Sequence, residues 1–153
     1  MYKTANSSWL DWVSLITIEL VMLGVFLPWV YGYDQPLHLI PNDYNPNHNG
    51  FDSFGIGHPV FWGCLIALAL WWVESHTSGW TRALVRLAEV GLGGSMLFLV
   101  KLAYSDFHHF WGFSVETGFW ITLAALLVWT GLTLARLVGS FRRVSLTILR
   151  KAQ

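Results

Sequence analysis

Four apolar stretches, at residues 13–30, 59–73, 83–104 and 118–138, fill most of the chain, and each is bordered by Trp, Tyr or charged residues. A helix rises about 1.5 Å per residue and the hydrocarbon core of a bilayer is about 30 Å thick, so about twenty apolar residues cross it. Three of the stretches meet this length outright. The second is shorter, but Trp62, Trp71 and Trp72 extend it by sitting at headgroup level, and Pro59 suits the first turn of a helix. The pattern predicts an all-α fold, an integral membrane antiparallel four-helix bundle, as a single domain over 1–153. One long outer loop spans 31–58 and a basic tail spans 139–153.

Composition strengthens this reading, because hydrophobic residues make up 54% and charged residues only 12% of the chain, against about 25% charged in an ordinary soluble domain. Nine basic residues balance nine acidic ones, so there is no basic field for nucleic acid, and the lipid bilayer is the expected environment. The placement of the basic residues is more informative. Lys3 precedes the first stretch, Arg82 and Arg86 border the second connection, and Arg136, Arg142, Arg143, Arg150 and Lys151 follow the fourth. The loop 31–58 has neither Lys nor Arg, and Lys101 alone lies near the third connection. By the positive-inside rule both termini face the cytoplasm of a cell membrane and the loop 31–58 lies outside. The first stretch is expected to be retained, since Glu19 interrupts it and Pro28-Trp29 stands where a signal peptide has small residues. The acceptor Asn6-Ser7-Ser8 then falls on the cytoplasmic side, where it carries no glycan.

Trp9, Trp12, Trp71 and Trp72 mark the inner boundary, and Trp29, Trp62, Trp111 and Trp120 the outer one, while Trp129 falls near mid-membrane as a packing residue. Small residues spaced by four let helices approach in lipid. Gly131, Ala135 and Gly139 form one such ridge, and Gly91 with Ser95 another. Packing within the bundle is the expected use, with docking to another membrane subunit as the sharper alternative.

Charge within the spans is costly and marks function by default. Glu19 and Glu89 are predicted at similar depth, Arg86 shares a helical face with Glu89, and Arg136 approaches from the fourth span. An intramembrane ion-pair cluster of Glu19, Arg86, Glu89 and Arg136 is the favoured reading. A proton or cation site is the alternative, but the residues between these acids and the outer face offer almost no polar path.

The outer side gathers five of the six histidines, His38, His48, His58, His108 and His109, with several carboxylates. Imidazole and carboxylate suit zinc or copper, so His58 with His108 or His109 is a candidate half-site for a metal or haem. Adjacent His108 and His109 cannot both face one ion from a regular helix, and solvated histidines are the commoner outcome. Asn45, Asn47, Asn49 and Gly50 match the start of a calcium loop, but Ile56 stands where its bidentate glutamate belongs. A loop this long exceeds a bundle connection of about two to eight residues, so it is expected to have its own task, with short strands around 37–40. Cys64 is the sole cysteine, which excludes an intrachain disulfide. Phe141, Val144 and Ile148 recur at helical spacing among basic residues, as in a helix lying on an anionic leaflet or a plain extension of the fourth helix.

Leu23-Gly24 leading to Leu27-Pro28-Trp29, the long glycine-containing loop, and Gly118-Phe119-Trp120 opening the last span resemble uncharacterised four-helix membrane proteins of bacteria and archaea. The layout also resembles that of claudins, which implies cytoplasmic termini and a larger first outer loop. The claudin loop motif of Trp, Gly-Leu-Trp and two cysteines is absent, so neither a disulfide-stabilised paired sheet nor paracellular channel function carries over. No complete catalytic, phosphate-binding or transport signature occurs. Three expectations remain: a non-catalytic accessory or assembly subunit of a larger membrane complex, an outer-face metal or haem protein, and a claudin-like protein that associates with further copies as a homo-oligomer.

Overall fold

The computed structural model describes residues 9–32, 47–49, 56–109 and 113–151, with side chains over 9–29, 56–105 and 115–141. Four helices dominate: α1 Trp9–Phe26, α2 Gly57–His76, α3 Gly79–His109 and α4 Thr117–Lys151. Of these, α1, α3 and α4 contain segments long and apolar enough to cross a membrane. In α2 the apolar run is diluted by His58 and Pro59 at one end and Glu74 at the other. Consecutive helices are neighbours, and α4 closes back against α1.

The core is shared by all four helices, with Ile18, Val21 and Val25 meeting Val60, Cys64, Ala67, Met96, Val100, Phe119, Leu126 and Trp129. The outward faces are equally apolar: Trp12, Ile16, Leu23, Trp62, Ile66, Leu84, Phe98, Leu127 and Leu134 are all exposed. A helix that is apolar all round suits lipid on one side and protein on the other. At about 1.5 Å per residue, the 35 residues of α4 reach about 52 Å, well beyond a hydrocarbon core of about 30 Å. The basic tail thus continues the fourth helix up to Lys151.

The first helix ends earlier than the apolar stretch does. Pro28 cannot donate a ladder hydrogen bond and disfavours helical geometry at Leu27, so α1 stops at Phe26 and Pro28 opens a strand. Strands β1 Pro28–Gly32, β2 Asn47–Asn49 and β3 Phe113–Val115 form an antiparallel sheet in the order β2-β1-β3. Val30 aligns with His48 on one side and with Val115 on the other. The sheet is an addition to the expected all-helical architecture, formed without a disulfide, since Cys64 is free. Asn47 and Asn49, read above as part of a calcium loop, are strand residues, whereas the strands expected around 37–40 lie outside the described residues. At the opposite end Thr77 and Ser78 join α2 to α3, and Gly79 at φ +60° supplies the left-handed conformation this tight turn requires.

Candidate functional site

At the end of the molecule remote from the sheet, each helix contributes one charged side chain to a single clasp. Glu74 of α2, only 4% exposed, receives Arg86 of α3 on Oε1 at 2.6 Å and Arg136 of α4 on Oε2 at 2.6 Å. Arg136 also reaches Asp11 of α1 at 2.9 Å and the Ser14 hydroxyl at 3.3 Å. Arg86 adds a second bond to Glu74 from Nε at 2.7 Å, donates to the Arg136 carbonyl at 2.9 Å and contacts Ser140. Two guanidiniums thus match two carboxylates, and charge-assisted bonds satisfy most of their donors. Such pairing is what allows ionised groups so far inside an apolar assembly.

Local structure explains the convergence. The two-residue turn after α2 folds its last turn beside the first turns of α3, and Thr77 returns its N–H and its hydroxyl to the Glu74 carbonyl, each at 3.3 Å. Arg82 closes the turn from the other side by donating to the Thr77 carbonyl. Asp11 lies in the first turn of α1, on the face that α1 turns to α4.

Of the four residues expected to cluster, the structure brings Arg86 and Arg136 together and leaves the other two out of the ion pairs. Glu89 is buried at 1% exposure, and its Oε2 has no hydrogen-bond partner among the described residues. Glu19 is exposed on the outer surface of α1. The actual anions, Asp11 and Glu74, sit at the margins of the apolar stretches, where they read as interfacial. The signal that would have found them is the antiparallel hairpin itself, which sets the end of α2 against the start of α3.

The sheet end is fastened by packing. Trp29, expected at the interface, is fully buried, donates its indole N–H to the Gly24 carbonyl at 2.8 Å and meets Phe119 edge-on at 5.5 Å. Glu116 donates its N–H to the Trp29 carbonyl at 2.8 Å, tying the entry of α4 to β1. A Cβ on Gly118 would lie 2.6 Å from the Pro28 carbonyl oxygen, and one on Gly24 would strike Thr122. Gly63 against Met96 and Gly93 against Thr130 and Trp129 make the comparable contacts between other helices.

The ridges singled out by spacing lie elsewhere. A Cβ added at Gly91, Gly131 or Gly139 would meet nothing within 4 Å beyond its own stretch of helix among the described residues, and Ser95 and Ala135 are exposed. These small residues therefore face away from the molecule's own core. Among the histidines, His58 is exposed at the start of α2, while the side chains of His108 and His109, at the end of α3, lie outside the described residues. No group of three potential metal ligands occurs among the described residues. No family model matches the chain, and no curated protein or solved structure is detectably similar to it.

Proposed function

We propose that this chain is a non-catalytic membrane subunit, an antiparallel four-helix bundle that docks side-on to other transmembrane chains and helps to assemble or hold a larger complex. The observation that carries the reading is the outward placement of Gly91, Ser95, Gly131 and Ala135. In lipid, helices associate where small residues let backbones approach, and these positions are not consumed by internal packing. A fourth span through α2 is supported by the two-residue turn to α3, which sends α3 back toward the sheet end beside α2. The clasp end collects Arg82, Arg86 and Arg136, and the basic residues of the tail lie beyond it in sequence, so this end is cytoplasmic and the sheet outside.

The test is to fill the exposed ridge. Replacing Gly131 and Ala135 together by Ile is expected to leave the melting of the purified chain unchanged while abolishing its co-migration with other membrane proteins after mild extraction. Unchanged co-migration, or destabilisation of the isolated chain itself, would overturn the reading.

A further inference from the structure

The outer surface of α1 carries a feature that side-on docking in general does not explain. Trp12, Ile16 and Leu23 are 58%, 52% and 61% exposed, and Glu19 stands exposed among them. Positions 12, 16, 19 and 23 are separated by four, three and four residues, the spacing of a helix–helix seam. The opposite face, with Ser14, Thr17, Ile18, Val21, Gly24 and Val25, is buried against the rest of the molecule. The seam is therefore unpartnered among the described residues, and a carboxylate lies at its centre.

That carboxylate is deep in the span. From the ends of α1, Trp9–Phe26, Glu19 is ten residues away on one side and seven on the other, about 15 Å and about 10 Å along the axis. A glutamate side chain is too short to bring its charge to either interface from there. Glu19 has no ion pair or hydrogen bond among the described residues. At the clasp end Arg86 and Arg136 are committed to Glu74 and Asp11, and Arg82 donates to the Thr77 carbonyl.

We infer that the α1 seam seats a transmembrane helix of a partner polypeptide that carries a lysine or arginine near mid-membrane, paired with Glu19. The inference rests on the side-on docking reading and supplies the chemistry of one partner. A second copy of this chain does not fit the site. Arg86 and Asp11 both belong to the clasp, and Lys101 lies fifteen residues beyond Arg86 whereas Glu19 lies eight beyond Asp11. This places Lys101 about 10 Å too far toward the sheet end for a parallel neighbour at the same depth. A two-fold dimer through α1 would instead set Glu19 against Glu19, with like charges opposed.

The experiment reconstitutes the purified chain in phosphatidylcholine vesicles with a fluorescent Leu/Ala transmembrane peptide bearing one central Lys, and measures association by energy transfer. The Lys peptide is expected to bind at least tenfold more tightly than the same peptide with Leu at its centre. Glu19→Gln, which keeps the shape, removes that preference, and Glu19→Lys transfers it to a peptide with a central Glu. Equal binding of the Lys and Leu peptides, or a preference that survives Glu19→Gln, overturns the inference, as does cross-linking of Glu19 to Glu19 of a second copy. Loss of peptide selectivity alongside ridge-dependent co-migration would remove this partner chemistry and leave the docking reading standing. Selectivity without any native co-migration would overturn the docking reading and the inference that rests on it, leaving only the capacity of Glu19 to recognise a cation in lipid.

Discussion

Replacing Glu74 by Gln tests whether the charge clasp holds the four helices together. The change is isosteric, so it leaves no cavity, but it removes the carboxylate that Arg86 and Arg136 share. Side-chain exposures of 4% for Glu74, 16% for Arg86 and 10% for Arg136 mean that solvent screens the group weakly. At an effective dielectric near 20, each pair at a charge separation of about 4 Å is worth about 4 kcal/mol before desolvation. Desolvation cancels much of that, yet removing one member of a buried pair strands its partner, at a cost of about 3–5 kcal/mol. Unfolding free energy of the purified protein in mixed micelles, followed by tryptophan fluorescence, measures the loss. A double-mutant cycle with Arg86→Gln should return most of it as coupling. Glu89→Gln is the control: among the described residues Glu89 lies outside the ion pairs and its Oε2 has no hydrogen-bond partner, so the change strands no guanidinium and should cost no more than about 1 kcal/mol. A Glu74→Gln loss below about 1 kcal/mol, the level of an exposed pair, would refute the reasoning.

Two further outcomes concern the sheet end. Gly118→Ala drives a methyl group into the Pro28 carbonyl and Leu27, and is expected to destabilise the fold by about 1–3 kcal/mol in the same unfolding assay. Trp29→Phe keeps an aromatic ring against Phe119 but leaves the Gly24 carbonyl without its indole donor, with an expected loss of about 1–3 kcal/mol, greater than that of the exposed control Trp120→Phe.

The apolar stretches were plain in the sequence because length and composition alone decide whether a helix can cross a bilayer. Which face of each helix points inward was not. In a soluble protein the polar face reveals the orientation, but here lipid makes the outward face as apolar as the core. Spacing thus located the ridge of Gly131, Ala135 and Gly139, but could not distinguish it from the true contact glycines, Gly24, Gly63, Gly93 and Gly118. The same ambiguity placed Glu19 among the buried charges, although only Arg86 and Arg136 of the expected four join the ion pairs. The sheet was hidden for a different reason. Its strands are three to five residues long and come from three separate parts of the chain, so non-local pairing makes them strands and no local pattern announces them. Pro28 did carry a local signal, the end of α1, although the apolar run continues to Val30.

The central claim is that this chain works as a laterally docked subunit. Native mass spectrometry of the particle released from native membranes by a mild detergent tests it most directly. The account predicts a complex of fixed stoichiometry containing other transmembrane chains, dissociated when Gly131 and Ala135 are replaced by Ile. Release of the intact wild-type chain only as a monomer, or only with copies of itself, would contradict it.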